Sequence, residues 1–126
     1  MKIVAAVNAM VSRPDLIGTS IMGMSPSEFF FLYNEKFKWS ILETNDDLAI
    51  FLYTGPETIE DLAKIEGNEY PEAWDHIQFV RYSTREIGTK EAFETFSDLL
   101  KIVKEKRFGV GDALDEIIMT AEWQKN

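Results

Sequence analysis

The 126-residue chain contains no cysteine and only one histidine, and it has no apolar run approaching the roughly 20 residues that a membrane-spanning helix needs. The missing cysteines exclude disulfides, thiolate nucleophiles and zinc or iron–sulfur sites built on thiolates. The N-terminal "MKIVAAVNAMVSR" is a poor export signal, because Asn8 interrupts its short apolar stretch and Ser12-Arg13 closes it. A soluble, cytoplasmic protein is the expectation. No repeat, low-complexity tract or Gly/Ser linker divides the chain, so residues 1–126 are expected to form a single α+β domain.

Catalytic signatures are missing as well. No G-x-S-x-G elbow exposes a serine, so a triad of His76 with Asp75 or Glu72 and one of Ser40, Ser83 or Ser97 has no spacing behind it. The alternating Asp/Asn loop of an EF-hand and the paired-histidine helix of a zinc site are both lacking. In "RFGVGDALDE" the dinucleotide fingerprint lacks its third glycine, and Asp112 and Asp115 would face the phosphates. The expectation is a protein that is not an enzyme and carries no cofactor or metal. A small ligand- or metal-binding module is the alternative.

What the sequence does have is charge in one place. The net charge is −9, and residues 43–75 hold ten carboxylates against the single base Lys64, so the whole excess sits in about a quarter of the chain. Such a segment repels nucleic-acid phosphates and anionic membrane surfaces, and attracts a basic partner. Within it, "EGNEYPEAWDH" sets Tyr70 and Trp74 among acids, and these are the residue types that make rigid, large-area anchors in protein interfaces. Charge and aromatic placement therefore nominate Asp46, Asp47, Glu57, Glu60, Asp61, Glu66, Glu69, Tyr70, Glu72, Trp74 and Asp75 as a partner-binding face. The competing reading is a solvated acidic surface, with Trp74 pinning its loop to the core.

Periodicity places these residues on elements. "KIVAAVNAMVSR" has helical spacing, and "PDLIGTSIMGM" is irregular. Ser25-Pro26-Ser27-Glu28 has the form of a helix-start capping box, but "FFFLY", "FKWSIL" and "LAIFLYT" around the turns "NEK" and "ETNDD" predict a three-strand meander. A helix over 56–65 follows, with Thr54 and Glu57 as its capping box and Gly67 as its stop. "HIQFVRYSTREI" predicts a fourth strand, with Ile77 and Phe79 on one side and Val80 and Tyr82 on the other. A long helix capped by Thr89 carries the stripe Ala92, Phe93, Phe96, Leu99, Leu100 and Val103 and stops at Gly109. A last helix starts from an Asp112 cap and carries Leu114, Ile117, Ile118 and Ala121. The expected fold is α+β: a mainly antiparallel sheet of about four strands with helices packed on it.

The run "FFFLYNEKFKWSIL", an aromatic strand, a polar turn and a strand with a Trp-Ser pair, resembles the immunity proteins of bacterial contact-dependent growth inhibition systems. The likeness spans about a tenth of this small acidic chain. It implies an inhibitor that binds a cognate toxin, often a basic nuclease, and blocks its active site or an adjacent surface. The resemblance transfers no individual functional residue.

Overall fold

The computed structural model describes residues 1–25, 27–66 and 71–124. In chain order the elements are α1 (Lys2–Ser12), β1 (Ile21–Met22), β2 (Glu28–Tyr33), β3 (Phe37–Thr44), β4 (Asp47–Tyr53), α2 (Ile59–Ile65), β5 (Phe79–Ser83), α3 (Thr84–Ile87), α4 (Lys90–Phe108) and α5 (Val110–Gln124). The fold is α+β. Its strands form one antiparallel sheet in the order β1-β2-β3-β4-β5, a meander with no crossover. The strand beyond the expected four is the two-residue β1, which pairs Ile21 with Phe30 and Met22 with Phe29 inside a stretch whose two glycines argued for irregular chain.

Strand alternation sends neighbouring residues to opposite faces, and here both faces are covered. Phe29, Phe31, Trp39, Ile41, Leu48 and Ile50 meet Ile3, Val4, Val7 and Met10 of α1 and Ala92, Phe96, Leu99, Leu100 and Val103 of α4. On the other face Phe30 and Tyr53 meet Ile59, Leu62 and Ala63 of α2, together with Ile77. Fully burying each large apolar side chain contributes about 1.5–3 kcal/mol, so these two clusters hold the three layers together. Glu28 opens β2 instead of completing a capping box, and it points to the α2 side.

Three local expectations need correcting. The helix expected over 56–65 begins at Ile59, because Thr58 rather than Thr54 caps it. Thr58 Oγ1 accepts from the Asp61 N–H at 3.1 Å, and the Asp61 carboxylate accepts from the Thr58 N–H at 3.3 Å. Thr54 instead continues the sheet by donating its N–H to the Gln78 carbonyl. The fourth long strand ends at Ser83, and "TREI" turns into α3, which closes at Gly88 in the left-handed conformation (φ 75°). Phe93 lies at the solvent edge of its helix, half-exposed rather than in the core.

The ends of α4 are as expected: Thr89 Oγ1 accepts from the Ala92 N–H, and Gly109 (φ 66°) closes the helix. From there α5 begins at once with Val110, two residues before the expected Asp112 cap. Unlike the other helices it does not pack on the sheet: every residue from Gly111 to Glu122 is exposed. Among the described residues, no helix is long and apolar enough to cross a membrane.

Candidate functional site

The nominated carboxylates fall into two groups, because the fold uses some of them for its own construction. Asp46 lies in the β3–β4 turn and Asp47 opens β4, at the end of the sheet where α3 begins. Asp46 is bonded to the Arg85 guanidinium at 3.0 Å. Asp47 accepts from the Ser83 hydroxyl, from Thr84 Oγ1 at 2.8 Å and from the Arg85 N–H at 3.0 Å, with Arg81 3.8 Å away. Burial pushes the Asp47 carboxyl up, but these hydrogen bonds outweigh it and hold the group down at about 2. Asp46 and Asp47 thus differ from the other nominated carboxylates in having basic and hydrogen-bonding partners within the fold.

The second group lies on the layer that covers the other sheet face. Ile59, Leu62 and Ala63 point α2 into the core, which turns Glu60 and Asp61 to solvent. Asp61 also closes the capping box, so part of its charge serves the helix start. The chain leading into α2 is fastened by Lys38, whose Nζ donates to the carbonyls of Gly55 and Glu57, the latter at 2.6 Å. This clasp holds the Glu57 backbone and leaves its carboxylate partly exposed. The strand alternation of Lys38 gave no hint of such a role.

Past α2, Glu66 turns inward. Its Oε2 accepts from the Ser25 N–H at 2.8 Å, and a Cβ at Gly23 would stand only 2.3 Å from that oxygen, so glycine there makes room for it. Glu69 and Tyr70 lie outside the described residues. Pro71–Trp74 form a 3-10 turn that leaves Glu72 and Asp75 exposed. Trp74 is half-buried, edge-on to Phe79 with ring centroids 6.3 Å apart, and Phe79 in turn packs on Phe51 and Tyr53. Trp74 thus anchors its loop, while His76 is exposed and the neighbouring Ile77 is buried.

The layer is mounted over a buried polar chain that sequence reasoning missed. The Ser40 hydroxyl donates to Glu28 Oε2 at 2.7 Å and lies 2.8 Å from the Tyr53 hydroxyl, with all three residues buried. Burial pushes the Glu28 carboxyl up to about 7; the Ser40 hydrogen bond opposes this, and the negative charge of Glu66 adds to it. Burial likewise raises the Tyr53 phenol well above its ordinary value. Nothing local marks the trio, because Glu28, Ser40 and Tyr53 meet only through strand pairing.

No family model, curated protein or solved structure matches this chain. Its chemistry therefore has to come from its own residues. Of the serines nominated for a triad, Ser40 is bonded to Glu28 and Tyr53, and the Ser83 hydroxyl is bonded to Asp47. Among the described residues no three His, Asp or Glu side chains converge as a metal site. What remains is an acidic surface: Glu57, Glu60, Glu72 and Asp75 form no ion pair among the described residues, whereas Arg13, Arg81, Arg85, Lys90 and Lys104 are each paired with a carboxylate elsewhere.

Proposed function

We propose that this protein is a cytoplasmic inhibitor of the immunity type, which neutralises a cognate basic toxin by covering its active site with the α2 layer. One observation carries the proposal. The unmatched carboxylates Glu57, Glu60, Glu72 and Asp75 lie on the same side of the sheet, in segments fastened from below by the Lys38 clasp, the Thr58 cap and the Trp74–Phe79 contact. A surface held in place this way loses little conformational entropy on binding, so more of its electrostatic attraction appears as affinity. The carboxylates would take the place of substrate phosphates opposite the toxin's Lys and Arg side chains. Such complementarity steers encounter and can bring association to about 10⁸–10⁹ M⁻¹s⁻¹ at low salt. The resemblance of "FFFLYNEKFKWSIL" to immunity proteins of contact-dependent growth inhibition points the same way.

The first test is whether a gene for a large secreted toxin lies directly beside this one; the C-terminal domain of such a toxin is the binding partner to assay. Reversing two charges, Glu60→Lys with Glu72→Lys, is expected to slow association at least tenfold at low salt and to flatten its salt dependence. The fold should be unaffected, since both side chains are exposed. Unchanged association kinetics for the double variant would remove the α2 layer from the interface.

A further inference from the structure

The sheet ends on one side at β1, which is only two residues long, and on the other at β5. Along the outer edge of β5, Phe79 is 42% and Val80 46% exposed, and Arg81 is exposed too. The direction of each peptide group there follows from the strand pairing. Thr54 donates its N–H to the Gln78 carbonyl at 3.1 Å, continuing the register that sets Leu52 opposite Val80 and Ile50 opposite Tyr82. Bonded and non-bonded pairs alternate along an antiparallel ladder, so Val80 and Tyr82 turn their N–H and C=O groups towards β4. Those of Phe79 and Arg81 point away from the sheet, and among the described residues no backbone group meets them.

Sheet edges are ordinarily blunted by lysine, proline or a bulge. In β5 all three are missing: its sequence is "FVRYS" and its register is unbroken. Its single charge, Arg81, is drawn back along the chain by Glu86 at 2.8 Å and Asp47 at 3.8 Å. The two sides of the edge differ in chemistry. On the α2 side Phe79 meets Trp74, in the turn that carries the exposed Glu72 and Asp75. On the α4 side the edge offers Val80 and the half-buried Tyr82.

We propose that the β5 edge takes up an extended segment of a partner protein as a sixth strand, one in which basic residues alternate with apolar ones. The outward N–H and C=O groups of Phe79 and Arg81 hold the backbone of that strand. Side chains alternate across a strand, so its basic residues fall on the side of Glu72 and Asp75 and its apolar ones beside Val80 and Tyr82. A second copy of this chain fits poorly, because a net charge of −9 opposes its approach and its β5 carries one base only. The partner need not be a toxin, so the edge can act even where the α2 layer is not an interface.

Amide exchange followed by NMR tests this, with a short capped peptide of alternating Lys and Val as the probe. In the free protein the Phe79 and Arg81 amides should exchange readily while those of Val80 and Tyr82 are protected. Millimolar peptide is expected to slow exchange at Phe79 and Arg81 by about tenfold. Arg81→Pro removes an outward N–H at an edge position that accepts proline, and should abolish the protection of Phe79; Arg81→Gln keeps the N–H and should retain it. Absence of added protection in the wild type overturns the proposal whether or not the proline variant folds, and so does protection that survives Arg81→Pro in the folded variant. Equal protection by a peptide of alternating Ser and Val would overturn the basic partner. Protection that grows with protein concentration in the absence of peptide would overturn it in favour of a second copy.

Discussion

Replacing Glu28 by glutamine is expected to raise the melting temperature by about 10 °C at pH 8 and to change it little at pH 4. Glu28 is only 6% exposed, and burial raises its carboxyl from the ordinary 4.5 to about 7. Between those two pH values the folded protein holds a proton that the unfolded chain has already released. The group's contribution to stability is thus fully present below pH 4.5 and is lost as pH rises through 7. A displacement of that size corresponds to about 3 kcal/mol of disfavoured ionisation. Glutamine fills the same space, can still accept from the Ser40 hydroxyl and never ionises. Thermal melts of both proteins from pH 4 to pH 8 decide the matter. Parallel curves would mean that Glu28 ionises in the folded state without penalty.

Asp47→Ala is expected to cost about 3 kcal/mol at neutral pH and to free α3 from the sheet. The carboxylate accepts from Ser83, Thr84 and the Arg85 N–H, and Ser83 and Thr84 are buried. Alanine would leave those donors without an acceptor, at about 1–3 kcal/mol for each buried group. The pH dependence runs opposite to that of Glu28. Asp47 titrates at about 2 in the folded state, so its contribution is present above the ordinary 3.8 and is lost as pH falls towards 2. The two groups together place the stability maximum between roughly pH 4 and pH 5. Urea unfolding measures the loss, and amide exchange over residues 84–87 should quicken more than exchange over β2 and β3. Wild-type protection in that segment would show that α3 stands without its acidic anchor.

These two carboxylates also mark the limit of what the sequence discloses. Thr89 and Gly109 bound α4 correctly because caps are local: the deciding hydrogen bonds lie within a turn or two. The β2–β3–β4 meander was legible for the same kind of reason, since alternation and turn residues are short-range signals. The start of α2 was placed too early from the sequence, because Thr54, like the true cap Thr58, stands three residues before an acid. The choice fell to Thr58 once the Thr54 N–H was used by Gln78 and Lys38 held the Gly55 and Glu57 carbonyls. "TREI" has strand-compatible residues and became α3 through Asp47, 36 to 38 positions earlier in the chain. The acidic segment was plain from composition, but its division into matched Asp46 and Asp47 and unmatched Glu60 and Glu72 depends on where Arg81 and Arg85 come to lie. The apolar stripe of α5 was visible in the sequence too, and periodicity alone cannot separate a stripe that meets the sheet from one that meets solvent.

The β2–β3 hairpin turns on Asn34 and Glu35, both at φ 55°, with the Lys36 N–H donating to the Tyr33 carbonyl. Left-handed pairs of this kind match the twist of the flanking strands and so lock their register. The register decides parity, meaning which residues of β3 are odd and which are even relative to the two sides of the sheet. With Ser40 opposite Phe30 and Ile41 opposite Phe29, the even residues look to α2 and the odd ones to α4. Adding a single residue to the turn would invert that parity, driving the Ser40 hydroxyl into the dry side and Ile41 against Glu28. Such an insertion should abolish folding, whereas one after Asn45, outside the locked pair, would leave the β2–β3 pairing intact. The acid-facing and oil-facing halves of the molecule are thus kept apart by two backbone angles at one bend.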